Sequence, residues 1–354
     1  MKIVGIGDFL IPEQYIKQGF RNFEEAGQQV ETIQWNLKDY EELQSINLKI
    51  EVGGSEVYEP PVEIYEAVQD ADMIITQFCP ITKKLIDSCK NLKVIGVLRG
   101  GYENVNVAYA TEKGILVFHT PGRNADAVAD FTVGMLISEC RNISKSYRNL
   151  KNGAWVRDYD NAATVPDLPE KTVGIIGFGA IGHKVAKRLH GFDMDILAYD
   201  PYVKEAPDYV TLVPLEELMK KSMFITLHMR LDKDTERMIN GELLSMMRPD
   251  AYLINTARSG LVDEKALYQV LKEKKIAGAA LDVFDVEPPT DDYPLITLPN
   301  VTVTPHLAGG TVDAFTKSPK LIADEMIHLF KKESSRYIVN KEIFEKVMGK
   351  WTLV

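Results

Sequence analysis

The chain has 354 residues, enough to bury a large core and to divide into two domains. It is 45% hydrophobic and 26% charged, with 51 acidic against 41 basic residues and a formal net charge of −10. The basic residues are scattered rather than clustered, which argues against a nucleic-acid partner. Cys79, Cys89 and Cys140 are odd in number and lack metal-type spacing, so they read as buried or incidental thiols, and no metal is expected. Asp8 and Glu13 break any apolar leader near Met1, and no apolar run approaches a membrane span. A soluble, cytoplasmic protein without a membrane partner is expected.

Short apolar runs alternate with amphipathic stretches over the first 118 or so residues. Lys2–Gly7 reads as a strand, Pro12–Ala26 as a helix and Gln29–Trp35 as a second strand. Asp72–Gln77 and Leu92–Leu98 are apolar runs of the buried parallel-strand type. Thr82–Ser88 and Val105–Lys113 sit in helical contexts, and Ile115–His119 reads as a strand. Pro121-Gly122-Arg123 then punctuates the chain, and a long helix is expected from Ala125 to Leu150. After an irregular stretch, a second series begins with strand Thr172–Ile176, helix Ala180–Leu189 and strand Asp195–Asp200. Phe224–His228, Ala251–Asn255, Ala277–Leu281 and Val301–Thr304 complete its strands, and Thr311–Lys331 reads as a final helix.

Alternating strands and helices predict an α/β protein with two doubly wound parallel sheets. The phosphate-type glycine loop lies mid-chain, so a nucleotide-binding Rossmann domain, residues 120–309, is expected as an insertion into a flavodoxin-like substrate domain, residues 1–119 plus 310–354. Hinges would fall near His119–Arg123 and Thr304–Gly310.

Gly177-Phe178-Gly179-Ala180-Ile181-Gly182 is a GxGxxG placed between a strand and a helix, the context in which such a loop binds a dinucleotide. Gly177 permits the tight turn, Gly179 lets backbone approach a pyrophosphate, and Gly182 lets helix and strand pack closely. The N–H groups of Ala180 and Ile181, at the helix N-terminus, would face the anion. Asp200 ends the next strand, about twenty residues on. An acid there suits a ribose hydroxyl and repels a 2′-phosphate, which favours NAD over NADP. The bland alternative is a plain β-turn-α with a surface aspartate.

Three residues downstream each sit in their own motif. Arg258 lies in Asn255-Thr256-Ala257-Arg258-Ser259-Gly260, at the end of an apolar strand. Ligands bind at that end of open parallel sheets, and the Arg258 fork can hold a carboxylate and polarise a neighbouring carbonyl. His306 follows the last strand in Thr304-Pro305-His306-Leu307-Ala308-Gly309-Gly310 and can exchange a proton with a carbonyl or hydroxyl oxygen. Glu287, in the acidic loop Asp282–Glu287, would fix its tautomer and raise its pKa. Asp282, at a strand end, could accept from a carboxamide. Singly, each also reads as an ordinary turn arginine, loop histidine or solvated acid. Together they suffice for hydride chemistry at a 2-hydroxy acid.

At these residues, at Thr120-Pro121-Gly122-Arg123-Asn124, at Leu227-His228 and at Asp234-Thr235, the chain resembles the D-isomer specific 2-hydroxyacid dehydrogenases, of the phosphoglycerate dehydrogenase-like type. The resemblance covers nearly the whole chain. It implies that Arg258 binds the substrate carboxylate, that His306 is the acid/base and that Glu287 orients it. Hydride would pass between nicotinamide and substrate C2 in the cleft between domains. Ala180, Ile181 and Asp200 match family NAD contacts, as do Met229, Arg230 and Thr235 beside the adenosine and Thr256, Ala257 and Asp282 beside the nicotinamide. The family is usually dimeric through the nucleotide domain, with the helix from Ala125 and the loop near Trp155 in the interface, so a homodimer is expected. The chain ends soon after the return helix, and no appended regulatory domain is expected.

Arg99-Gly100-Gly101-Tyr102-Glu103-Asn104 matches the family's substrate loop, whose backbone N–H groups would cradle the carboxylate. The family commonly has Gly-x-Gly-x-Asp there, and this chain departs from it with Gly100-Gly101 followed by Glu103-Asn104. Arg99 and Tyr102 are candidates for contact with a polar substrate tail, possible in a sugar-acid-like substrate. Two other readings keep the same residues: an enzyme like phosphite dehydrogenase, and an NAD(H)-binding protein without catalysis, like a corepressor.

Overall fold

The computed structural model describes residues 1–349; the last part of the expected return segment, residues 350–354, lies outside them. Twelve strands among the described residues form two sheets, and every named strand pair is parallel. The chain divides into a unit of Met1–Arg123 with Thr311–Val354 and a unit of Asn124–Gly310.

The first unit holds β1 (Lys2–Gly7), β2 (Gln29–Gln34), β3 (Met73–Thr76), β4 (Val94–Val97) and β5 (Leu116–Phe118), in the order β2-β1-β3-β4-β5. That order is the flavodoxin-like one. Successive residues of a strand point to opposite faces. Ile3, Met73, Ile75 and Val94 therefore pack on one side with Ile16, Phe20, Ile322 and Met326. Val4, Ile74, Ile95 and Val97 pack on the other with Leu43, Ile46, Ile50 and Ile64.

The second unit holds β6 (Thr172–Ile176), β7 (Asp195–Tyr199), β8 (Val210–Leu212), β9 (Phe224–Leu227), β10 (Tyr252–Asn255), β11 (Gly278–Leu281) and β12 (Val301–Val303). Their order, β12-β11-β10-β9-β6-β7-β8, places the strand before the glycine loop at the centre, where the winding reverses. This is the Rossmann switch point, with one strand added at the far edge. Ala129, Val133 and Leu136 of the helix Ala125–Cys140 cover one face of this sheet. The helices Leu215–Lys221 and Glu264–Lys272 cover the other.

Three expected helices are broken. Pro12–Ala26 is two helices, Glu13–Gly19 and Arg21–Glu25. Gly19 lies so close to Pro319 and Lys320 that a Cβ there would sit 2.5 Å from the Pro319 side chain. The expected Ala125–Leu150 helix stops at Cys140, turns through Asn142 in the left-handed region (φ +56°), and restarts as Ile143–Lys151. The turn brings Lys145 back onto the buried Glu139 carboxylate at 2.6 Å. Thr311–Lys331 resolves into Val312–Thr316, Ser318–Met326 and a 3-10 stretch, with Pro319 in the first turn of the second piece. Proline suits that position because it has no N–H to offer the preceding turn. Two helices of the first unit, Tyr40–Gly53 and Val62–Val68, lie outside the expected elements. No helix among the described residues is long and apolar enough to cross a membrane.

Candidate active site

The glycine loop has steric reasons of two kinds. Gly177 takes φ +94°, and a Cβ there would sit 2.6 Å from the His228 carbonyl carbon. A Cβ on Gly182 would meet the Gly177 oxygen at 2.3 Å. These two glycines let β6, the helix Ala180–His190 and the end of β9 close on one another. Gly179 differs: a Cβ there would meet nothing within 4 Å. Protein packing leaves its side open, as close approach by a pyrophosphate requires. Gly179 caps the helix, and Gly179 and Ala180 are exposed with Ile181 half-buried. Helix N-terminal N–H groups at this surface suit an anion.

Asp200 follows β7. Its Oδ2 accepts from the Phe178 amide at 2.8 Å and its Oδ1 from the Tyr202 amide at 2.9 Å. The carboxylate is thereby pinned across the mouth of the glycine loop and half-buried, with lone pairs left to accept from ribose hydroxyls. Further round, Thr235 donates to the Arg230 carbonyl at 2.7 Å, which shapes the Met229–Thr235 loop. His228, between β9 and that loop, holds its Nε2 3.0 Å from the Thr226 hydroxyl. Burial drives its pKa down to about 3, so it is a neutral structural imidazole.

Arg258, Glu287 and His306 all fall in this unit, beyond the carboxyl ends of β10, β11 and β12. His306 Nδ1 lies 2.8 Å from Glu287 Oε2. Glu287 Oε1 accepts from the Phe284 amide at 3.0 Å, which fixes the carboxylate's direction. The hydrogen bond that the His306 ring donates to Glu287 is the main cause that raises the His306 pKa above 6.5, and it prevails over burial and the Arg258 charge. Burial alone would raise the Glu287 pKa, but the bonds from His306 and the Phe284 amide hold it below its ordinary value. The Arg258 charge acts on both partners, so the three form one electrostatic cluster. Arg258 itself is exposed, with Nη1 donating to the Ala257 carbonyl at 2.7 Å.

His306 stands at φ +53°, left-handed backbone that costs a non-glycine residue roughly 1–2 kcal/mol. Asp282 holds it there. The Asp282 carbonyl accepts from the His306 amide at 2.9 Å, and its fully buried carboxylate accepts from Thr304 Oγ1 (2.6 Å), Leu307 N (2.9 Å) and Ala308 N (2.9 Å). The expected carboxamide acceptor is therefore the anchor of the histidine loop. Asn255 does the same for arginine: its Nδ2 donates to the Arg258 carbonyl at 2.9 Å and its Oδ1 accepts from the Ala257 amide at 3.0 Å. Thr256 is buried with its hydroxyl 2.7 Å from that of Thr132, which ties the strand end to the helix Ala125–Cys140. Asn255 and Thr304 carry no expected role in the sequence reading. A polar residue closing a buried strand beside a functional one is the signal that marks Asn255.

The first unit carries the other expected loop. The amides of Gly100, Gly101 and Tyr102 meet no acceptor among the described residues, and the loop is pinned from behind by Thr120 N to Arg99 O (2.9 Å) and His119 Nδ1 to Gly100 O (2.7 Å). Three N–H groups without an acceptor on an ordered turn are the donors that an anion nest needs. Arg99 is turned away to other work. Its guanidinium donates to Asn47 (2.8 Å) and Glu51 (2.7 Å), lies 3.4 Å from Glu103 and stacks on Phe78, leaving the side chain 12% exposed. It fastens the loop to the helix Tyr40–Gly53 rather than reaching outward. Tyr102 packs edge-on against His119.

A Rossmann unit whose glycine loop, acid and strand-end residues are ordered in this way defines a nicotinamide-nucleotide oxidoreductase. The family model for the D-isomer specific 2-hydroxyacid dehydrogenase NAD binding domain matches residues 133–308. The chain is 39% identical over 294 residues to a glyoxylate reductase of Thermofilum pendens, a match that covers 80% of this chain and 85% of that one. It is 40% identical over 294 residues to a D-3-phosphoglycerate dehydrogenase of Methanocaldococcus jannaschii, and spans 55% of that relative's length. Among solved structures, a D-isomer specific 2-hydroxyacid dehydrogenase from Lactobacillus delbrueckii ssp. bulgaricus with NAD superposes with a TM-score of 0.74 at 23% identity, covering 96% of this chain and all of that one. The chain belongs to the D-isomer specific 2-hydroxyacid dehydrogenase family, and its second unit is an NAD-binding domain.

Proposed function

We propose that the protein interconverts a 2-keto acid and the D-2-hydroxy acid with NAD(H), through Arg258, Glu287 and His306. The observation that carries this is the 2.8 Å His306–Glu287 hydrogen bond beside Arg258, at the carboxyl edge of the NAD-binding sheet. NAD(H), when bound, supplies or accepts the hydride. In reduction, protonated His306 gives its proton to the C2 oxygen as that oxygen gains charge. Arg258 holds the carboxylate and polarises the carbonyl. Glu287, ionised, stabilises the imidazolium and keeps the proton-transferring nitrogen turned outward. In oxidation, neutral His306 takes the hydroxyl proton. The three amides at Gly100–Tyr102 serve as the carboxylate nest on the substrate side. Gly177, Gly179, Ala180, Ile181 and Gly182 hold the pyrophosphate, and Asp200 the adenosine ribose.

The relatives named glyoxylate reductase and hydroxypyruvate reductase suggest short 2-keto acids as first substrates. Loss of nicotinamide absorbance on mixing NADH with glyoxylate or hydroxypyruvate tests the reading. Turnover is expected; tight NADH binding with no turnover of any 2-keto acid overturns it. A homodimer through the NAD-binding unit also belongs to this reading. The helix Ile143–Lys151 buries none of its residues, and Ile143, Tyr147, Leu150 and Trp155 are 53%, 67%, 58% and 79% exposed. An apolar face of that kind marks an interaction surface.

A further inference from the structure

Glu287 sits in Val283–Pro289, a loop without regular structure, and must hold one direction for His306 to keep its proton where the reaction needs it. Something outside the loop has to fix it. Glu264, the first residue of the helix Glu264–Lys272, is placed to do so. Its Oε1 accepts from the Asp285 amide at 3.0 Å, in the middle of the loop. Its Oε2 accepts from the Tyr293 hydroxyl on the far side. The Tyr293 ring meets Phe284 edge to face, 5.8 Å between centroids, and Phe284 is the residue whose amide binds Glu287 Oε1. The chain of contacts runs from the helix start through Tyr293 and Asp285 to Phe284, and from Phe284 to Glu287 and His306.

The charges make this arrangement costly in itself. Glu264 is half-buried and faces Asp285 and Glu287, both acids, and burial with these neighbours raises its pKa. His306 faces Glu287, Asp282 and Arg258. The hydrogen bonds from Tyr293 and the Asp285 amide oppose that cost, so the carboxylate is held where it bridges the two.

We infer that Glu264 and Tyr293 are positioning residues that clamp the acid loop and so hold Glu287 on His306. This rests on the catalytic reading of His306. The clamp's hydrogen bonds and ring contact go to the acid loop and not to Arg258 or the glycine loop, so removing it should leave NADH affinity and the substrate KM nearly unchanged while kcat falls. A misplaced catalytic group typically costs up to about 10²-fold, and a loss of about tenfold to 10²-fold in kcat is expected for Glu264→Ala. Its second signature is the pH profile. With Glu287 loosened, the His306 pKa drifts back towards 6.5, so keto-acid reduction should fade at lower pH than in the parent enzyme. Glu264→Gln keeps an acceptor for the Asp285 amide and a partner for Tyr293, and should restore both kcat and the pH profile. Tyr293→Phe should fall between the two.

The experiment is steady-state keto-acid reduction across pH for the parent protein, Glu264→Ala, Glu264→Gln, Tyr293→Phe and His306→Gln. The inference stands if Glu264→Ala lowers kcat and moves the pH limb downward while Glu264→Gln restores both. It is overturned if Glu264→Ala leaves the limb in place, whether or not the variant is less stable. A fully active His306→Gln would instead overturn the catalytic reading itself.

Discussion

The carboxyl edges of the two sheets treat their polar groups in opposite ways. In the NAD-binding unit most such groups are spent: Asp282 on the histidine loop, Asn255 on the arginine turn, Asp200 on two amides, Glu287 on His306 and Phe284, while Nδ1 of the buried His228 has no partner among the described residues. In the first unit many are unspent. Both amide atoms of Gln77, Asn104 Oδ1 and Asp8 Oδ2 are buried without a partner, and the Gly100–Tyr102 amides meet no acceptor among the described residues. Buried polar groups are ordinarily satisfied by protein or by ordered water, so these atoms mark places where the first unit offers polar partners to water or a ligand. In the proposed reading the contrast separates two tasks, the proton chemistry in one unit and the reception of the substrate carboxylate in the other.

Removing the acid/base should have the largest effect. His306→Gln is expected to lower turnover by about 10²–10⁴-fold with NADH affinity retained. Steady-state rates beside a fluorescence titration of NADH check this, and a variant that loses binding and rate in parallel would place His306 in the cofactor site instead.

Asp8 probes the open edge through stability. Burial raises its pKa from 3.8 to about 6, against the pull of the Leu10 and Ile11 amides and the Arg123 charge. The folded state thus holds the proton more tightly than the unfolded chain. The penalty is absent below about pH 4 and grows to roughly 3 kcal/mol above pH 6, the free-energy equivalent of the shift. Asp8→Asn keeps an acceptor for both amides and drops the charge. It should stabilise the protein at neutral pH by up to that amount and converge with the parent in acid. Denaturant midpoints at the two pH values decide it; a variant weaker at neutral pH contradicts the sign.

Gly101→Ala should act most mildly. A Cβ there comes 2.4 Å from Glu103 Oε2, the end of a flexible side chain that can swing aside. The nest is disturbed without being closed. We expect the keto-acid KM to rise roughly threefold to tenfold, the weight of one weakened bond to a charged group, with kcat almost unchanged. An unmoved KM would remove the nest from the substrate site.

The fold was largely legible in the sequence because apolar runs mark the buried parallel strands; the short edge strand β8, with only Val210 buried, carries no such run and lay outside the expectation. β6 coincides with the expected Thr172–Ile176. The helix breaks were not legible. Phe20 is not a local breaker, and the contact beside that break is distant in sequence, Pro319 against Gly19; Asn142 suits the left-handed turn it makes, but an asparagine alone does not mark a helix end. The helix Tyr40–Gly53 could have been read, since Asp39 caps it and Leu43, Ile46 and Ile50 recur on its buried face.

At the site, strand-end position singled out Arg258 and His306, which the fold brings into one electrostatic cluster with Glu287. What those residues spend their hydrogen bonds on was hidden. Asp282 meets Leu307 and Ala308 across twenty-five residues or more, and Arg99 meets Asn47 and Glu51 through a helix absent from the expectation. No local pattern encodes either partnership.

In the proposed reaction Glu287 sets the protonation of His306, and the pH profile of Glu287→Gln tests that most directly. Reduction needs protonated His306, so its rate falls as pH rises through the histidine pKa, which Glu287 raises. In Glu287→Gln the reductive limb should shift to lower pH, towards the unperturbed histidine value, with kcat reduced. A limb that stays where the parent enzyme has it would contradict the account.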